Sequence, residues 1–227
     1  MEVKDAKISL IDYPGEIACT IFVGNCNLRC GYCYNKDLVL NPGAVPSFPS
    51  ILDFLQKRTH LIDGICLTGG EPLLQLDVEP FLINIKEMGL KIKLDTNGTY
   101  PDILQDLLDK KIPDYIAVDI KAPLEKYEPI VGTRVDLSKI KQTIKIIKNC
   151  SIKHEFRTTA APSLDKDDIL QIASLLNTDN YVLQRFQYTP TLIDGSLRSP
   201  LIDHQEALKI KKICSDLYGL TIQLRGF

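Results

Sequence analysis

Three cysteines, Cys26, Cys30 and Cys33, stand in the segment CNLRCGYC with the spacing C-x-x-x-C-x-x-C. Thiolates are soft donors that suit iron–sulfur clusters, and one short loop lets three of them reach three corners of a cuboidal 4Fe–4S cluster. No fourth cysteine follows at a useful spacing, so one iron is left without a protein ligand and can bind a reactant. The competing reading is a structural zinc site, which normally takes four ligands. No further Cys or His lies close by, and Cys19 belongs to an apolar run upstream. The spacing points to cluster chemistry on a bound molecule.

Other side chains suit a ligand beside such a cluster. Tyr32, between the last two cysteines, either packs on the cysteine loop or lies under a flat group such as adenine. In TGGEP, Thr68 to Pro72, Gly69 and Gly70 let a ligand approach the backbone, and Glu71 can receive an ammonium group. The alternative is a tight turn with a solvated glutamate. Asp95, Thr96 and Asn97 end one apolar segment, and Asp119 and Lys121 end another. Strand alternation puts Asp119 and Lys121 on one face. Lys121 can receive a carboxylate, and Asp95 and Asp119 can hold a ribose hydroxyl or a small cation; otherwise they form structural ion pairs. Arg157 and Gln184 lie in later strand-like segments and can face the same mouth. His60, His154 and His204 show no ligand spacing, and the lysines at 139, 141, 145 and 148 read as a solvated helix face.

The elements that must position these residues alternate in type. Strand-like runs cover 17–23, 64–68, 91–95, 115–120, 154–159 and 182–188, with a short tail strand near the C-terminus. A proline- and glycine-rich loop is expected over 40–49. Helices follow from apolar stripes: Ile51, Phe54 and Leu55 after a Ser50 cap; Val78, Phe81, Leu82 and Ile85 after Asp77, with Gly89 as a stop; and Ile103, Leu104, Leu107 and Leu108 after Pro101. Ile140, Ile144 and Ile147 form a stripe after a Ser138 cap, and Ile169, Ile172, Ala173 and Leu176 form one after Asp165. Asp203 and Glu206 form a capping box for a last helix ending near Gly219. About six βα units imply an α/β fold with a parallel sheet and outer helices, in which ligands bind at the carboxyl ends of the strands. The polar signatures sit at those ends.

At 227 residues the chain is expected to form one domain over 1–227. It is 44% hydrophobic and 25% charged with a net charge of −2, which gives no electrostatic case for nucleic acid or an anionic membrane. MEVKDAKISL is not a secretory signal, and no apolar run approaches the ~18 residues of a membrane span. Seven cysteines without such a signal place the chain in a reducing cytoplasm. Cys19, Cys66, Cys150 and Cys214 read as small packing residues or thiols.

CNLRCGYC followed by TGGEP resembles the radical S-adenosylmethionine (SAM) superfamily, whose fold is a partial (βα)6 barrel. SLIDYPGEIACTIF, LDTNGTYPD, AVDIKAPL, FRTT and LRGF are similar to its glycyl-radical enzyme activases, especially the short activating proteins of anaerobic ribonucleoside-triphosphate reductase. The resemblance runs from about Ile8 to Phe227. It implies that Cys26, Cys30 and Cys33 ligate the cluster and that SAM chelates the open iron. Gly69, Gly70 and Glu71 would meet its amino end, with Lys121 and Arg157 toward its carboxylate. Tyr32 would lie near adenine, Asn97 and Gln184 would join the cofactor site, and Asp95 and Asp119 would flank the cofactor and a monovalent cation. The implied chemistry is one-electron cleavage of SAM to a 5′-deoxyadenosyl radical that abstracts a hydrogen atom. The implied partners are a glycyl-radical enzyme, specifically anaerobic ribonucleotide reductase, and a flavodoxin or ferredoxin. Two departures stand out: Asn35 follows Tyr34 where many activases have His-Asn, and no cysteine-rich insertion is present. The alternatives are the same chemistry on a small molecule, peptide or nucleoside, and a non-catalytic iron–sulfur carrier.

Overall fold

Eight strands follow one another in the sheet in the order of the sequence. They are β1 (Val3–Ser9), β2 (Ala18–Val23), β3 (Gly64–Gly69), β4 (Lys91–Thr96), β5 (Tyr115–Asp119), β6 (Lys153–Ala160), β7 (Tyr181–Arg185) and β8 (Gln223–Arg225). The helices are α1 (Lys36–Leu40), α2 (Ile51–Gln56), α3 (Val78–Glu87), α4 (Pro101–Asp109), α5 (Tyr127–Val131), α6 (Leu137–Asn149), α7 (Lys166–Leu176) and α8 (His204–Tyr218). This computed structural model describes residues 1–44, 48 and 50–227. The loop expected over 40–49 lies partly outside the described residues; within it Pro42–Ala44 forms a 3-10 turn.

The chain divides into two compact units. The first comprises Met1–Asn27, Asn35–Ala117 and Ser138–Lys153. In it β1 pairs antiparallel with β2, and β2, β3 and β4 run parallel. The register sets Cys19 beside Ile65 and Ile65 beside Ile92, and one residue on sets Thr20 beside Cys66 and Cys66 beside Lys93. Alternation therefore gives the unit an apolar sheet face and a face carrying a polar row. Helix α3, which buries Val78, Phe81, Leu82 and Ile85, packs on β4. A fully buried aliphatic side chain of this kind contributes ~1.5–3 kcal/mol.

The second unit comprises Leu28–Tyr34, Val118–Leu137 and His154–Phe227. Here β6, β7 and β8 run parallel. Phe156 lies beside Tyr181 and Thr158 beside Leu183, while Thr159, Gln184 and Arg225 line up on the opposite face. Helices α7 and α8 pack together, burying Ile169, Ile172, Ala173 and Leu176 from one and Ala207, Ile210 and Cys214 from the other.

Some local expectations need correction. Strand β1 has no apolar run and exposes Asp5 and Lys7 on one face, as suits a sheet edge. The strand expected to reach 188 stops at Arg185. Helices α1 and α5 span five residues each, too few to show a period. Ser138 lies inside α6, not at its cap. Ser50 and Asp77 occupy N-cap positions without a side-chain bond to the backbone. Ser50 Oγ instead donates to Asp53 at 2.6 Å, and Asp77 pairs with the N-terminal ammonium. The Asp165 box is complete with Asp168, whereas at α8 Asp203 accepts from Glu206 N at 2.8 Å. Among the described residues no helix is long and apolar enough to cross a membrane.

Candidate cofactor site

In the first unit β3 runs directly into the glycine turn. Gly69 sits at φ +113°, a region costly for any residue with a Cβ, and a Cβ on Gly70 would overlap the Asn25 carbonyl oxygen. Gly70 N donates to Val23 O and Glu71 N to Asn25 O, each at 2.8 Å. Asn35 Nδ2 donates to Gly69 O at 3.1 Å. Asn35, which follows Tyr34 where many activases have His-Asn, thus braces the turn, a role that spacing alone did not reveal.

Glu71 is 1% exposed. Its carboxylate accepts from Leu73 N at 3.1 Å, Thr96 Oγ1 at 2.7 Å and Asn97 N at 2.8 Å. A buried carboxylate needs such donors, and here they tie the GGE turn to the end of β4. Asn97 Nδ2 donates to Asn27 Oδ1 at 2.9 Å and lies 3.9 Å from Cys26 Sγ. Thr99 Oγ1 donates to Asn97 Oδ1 at 2.6 Å and accepts from Asn27 Nδ2 at 2.9 Å. Cys26, Gly69, Gly70, Glu71 and Asn97 are thus brought together. Thr96 completes the arrangement together with Asn27 and Thr99, which lie inside CNLRCGYC and LDTNGTYPD but take no role from their spacing. Burial, then Glu71 and Cys26, push the Tyr100 phenol up. Asp95 pairs with Lys93, whose side chain is 1% exposed.

In the second unit the cysteine loop is held by backbone bonds: Arg29 N to Val131 O at 2.8 Å, Asp194 N to Gly31 O at 2.8 Å, and Ile193 N to Cys33 O at 3.3 Å. Tyr32 is 6% exposed, a buried residue of the loop. Its hydroxyl has no hydrogen-bond partner among the described residues. Burial pushes its phenol well up, and Cys30 adds to this against the opposing Lys121. Tyr34 Oη accepts from Gln187 N at 2.9 Å just past β7.

At the end of β5 an alternating chain of charges begins. Lys121 Nζ lies 3.0 Å from Asp119 Oδ2, and Arg157 Nε lies 2.8 Å from Asp119 Oδ1. Arg157 Nη1 is 3.8 Å from Glu155, whose carboxylate also takes Arg225 at 2.6 and 3.1 Å. Burial raises the Asp119 carboxyl, but Arg157 and Lys121 outweigh it and hold it well below the usual range. Burial likewise lowers Lys121, yet Asp119, Tyr32 and Cys30 raise it well above the ordinary lysine value. Gln184 shares the sheet face of Thr159 and Arg225 but does not enter the charge chain.

The donor set fits an iron–sulfur cluster. Cys26, Cys30 and Cys33 are reduced, they occupy one eight-residue segment, and thiolate is the ligand type such clusters take. The small cation expected near Asp95 and Asp119 fits less well, because each carboxylate already faces an ammonium or guanidinium of the chain. Cys19, Cys66 and Cys214 are buried and Cys150 half-buried, all as thiols; burial pushes Cys19 up to about 11.

The Radical SAM superfamily model matches residues 20–176. A Methanocaldococcus jannaschii protein named for glycyl-radical enzyme activation is 35% identical over 216 residues, 91% of this chain and 88% of that protein. The pyruvate formate-lyase-activating enzyme of Clostridium pasteurianum is 27% identical over 92% of this chain and 94% of its own length. Among solved structures, Streptococcus suis SuiB bound to S-adenosylmethionine aligns with TM-score 0.67 at 13% identity, over 91% of this chain and 52% of SuiB. That likeness is one of fold, and the chain spans about half of SuiB. The mostly parallel sheet, the cysteine loop and a 35% identical relative matched along most of both lengths agree: this chain belongs to the radical SAM superfamily, in its glycyl-radical enzyme activating group.

Proposed function

We propose that this protein activates an anaerobic ribonucleoside-triphosphate reductase by removing a hydrogen atom from a glycine of that partner, in the cytoplasm. The superfamily's cofactors are a 4Fe–4S cluster and S-adenosylmethionine; when bound, they supply the one-electron cleavage that generates the hydrogen-abstracting radical. Cys26, Cys30 and Cys33 hold the cluster. The backbone of Gly69 and Gly70 receives the amino end of the methionine moiety, in a turn whose shape Glu71 sets. Lys121 and Arg157 take its carboxylate side, oriented by Asp119. Asn97 positions the Cys26 side of the loop, Tyr32 closes the loop from within, and Asp95 and Gln184 complete the cofactor contacts. None of the seven cysteines forms a second ligand set in the sequence, so the electron comes from an external flavodoxin or ferredoxin.

One observation carries the site reading. Glu71, Thr96 and Asn97 lock the GGE turn to the TNG loop, with Asn97 reaching Cys26. Such preorganisation lets binding proceed without rebuilding the pocket. The test is anaerobic incubation of the cluster-loaded protein with SAM, reduced flavodoxin and the reductase. A glycyl radical signal in electron paramagnetic resonance is expected, absent with Cys30→Ala. Cleavage of SAM while the reductase stays silent would remove the partner assignment. A mass change in a small molecule or peptide would reassign the substrate.

A further inference from the structure

Lys93 is, with Glu71, one of two charged side chains near the candidate site in the first unit that are only 1% exposed. It lies on β4, two residues before Asp95, so alternation puts both on one sheet face. Its side chain is 1% exposed and that of Asp95 13%. The ammonium pairs with Asp95, lies 3.6 Å from Cys66 Sγ on β3, and stands 5.9 Å from the centroid of the Tyr115 ring on β5. Tyr13 packs edge-on against that ring at 5.9 Å. The surroundings thus offer one carboxylate, one thiol and two aromatic rings. A buried ammonium is retained only where a charge partner and soft acceptors surround it; here Asp95 comes from the same strand, and Cys66 and Tyr115 from β3 and β5.

We propose that the Lys93 ammonium is the built-in counter-cation of Asp95, so that Asp95 takes no monovalent metal ion. An ammonium and a potassium ion carry the same charge in a similar volume. The covalently tethered one needs no loading and cannot dissociate. A second cation on the same carboxylate would sit against Lys93 in a dry setting, where like charges repel strongly. Asp119 has the same arrangement in the second unit, with Lys121 and Arg157 as its cations. Lys93 is a positioning residue in this account: it fixes the charge and direction of Asp95 for the cofactor and does not itself react. The inference rests on the proposed cofactor site.

The experiment compares full-length, cluster-loaded protein in potassium chloride, sodium chloride and tetramethylammonium chloride at equal ionic strength, because tetramethylammonium is too large to occupy a metal site. Two quantities are read: 5′-deoxyadenosine formed with dithionite and no partner, and the urea unfolding midpoint. Wild type is expected to give the same rate in all three salts within about twofold, and the same midpoint. Lys93→Met is expected to lose about tenfold or more in tetramethylammonium and to recover part of it in potassium, because Asp95 then needs a dissociable cation. Its midpoint should rise with potassium by ligand linkage. The Lys93→Met/Asp95→Asn double variant should show no potassium effect on the midpoint. Strong stimulation of wild type by potassium or sodium would overturn the proposal, as would a Lys93→Met protein indifferent to the salt. If Lys93→Met does not fold, the wild-type comparison alone decides. Wild type forming no 5′-deoxyadenosine in any salt would count against the proposed function instead, and the midpoint would still report on the cation.

Discussion

Asp119 is served by two cations of different character. Arg157 presents a directional Nε–H at 2.8 Å and Lys121 a compact ammonium at 3.0 Å. Arginine and lysine are not interchangeable in such a pair. The guanidinium also reaches Glu155, so it fixes two carboxylates at once. The carboxyl of Asp119 is held below its ordinary value. It therefore contributes stability that is fully present above the unfolded-state value of ~3.9 and is lost as the pH falls toward the lower folded value. Removing one partner of a buried pair costs ~3–5 kcal/mol, and the side chain of Asp119 is 28% exposed, which softens the loss. Asp119→Asn is expected to lower the unfolding free energy by ~2 kcal/mol at pH 7. The gap to wild type should narrow progressively below about pH 4. Urea unfolding of both proteins between pH 3 and 7 checks the size and the sign.

At the scale of elements, α7 is the clearest case of sequence becoming structure. Asp165 accepts from Asp168 N at 2.9 Å, and Asp168 Oδ2 accepts from Asp165 N at 3.1 Å. Asp168 is 1% exposed and also takes Lys126 at 2.8 Å. Losing an Asp N-cap costs ~1 kcal/mol, so Asp165→Ala should lower the thermal midpoint by a few degrees while leaving SAM cleavage intact. Asp168→Ala should cost more, because Lys126 loses its nearer, buried partner as well. Differential scanning calorimetry of both variants tests the ranking. The cap at Asp165 and the stripe from Ile169 to Leu176 could be read in advance because both are local. Strand β1 could not, since its residues carry no apolar run and it exists only through pairing with β2. The site divides in the same way. The cysteine spacing and the GGE and DTNG signatures are short-range and legible. The Asn27–Asn97–Thr99 ring joins residues about seventy apart, and Glu155 meets Arg225 across a similar span. No window of sequence contains either. The pairing of Lys93 with Asp95 lies between these cases. Two-residue spacing on β4 puts them on one face, but only packing against Cys66 and Tyr115 shows that Lys93 points inward.

For the molecule as a whole, the three thiols and the folded chain form one thermodynamic system. A group that binds the native state and not the unfolded one stabilises by mass action. Anaerobic reconstitution is expected to load about four irons per chain and to raise the urea midpoint above that of the cluster-free protein. Chelation should reverse the rise, and Cys30→Ala should abolish it. Iron analysis with parallel unfolding curves decides this, and an unchanged midpoint at full iron loading would contradict the coupling. The net charge of −2 adds no bulk field to partner recognition, so encounter with the partner depends on local shape and contacts.

Backbone bonds of Arg29, Gly31 and Cys33 hold the cysteine loop in the second unit. Val131, Ile193 and Asp194 grip the loop through main-chain atoms. An iron–sulfur protein is routinely damaged by oxygen, and what survives that damage decides whether the polypeptide must be discarded. Because the anchorage around Cys30 and Cys33 runs through main-chain atoms, air-bleached protein is expected to regain its iron on anaerobic reduction with iron and sulfide, without new synthesis of the chain, as iron analysis before and after would check.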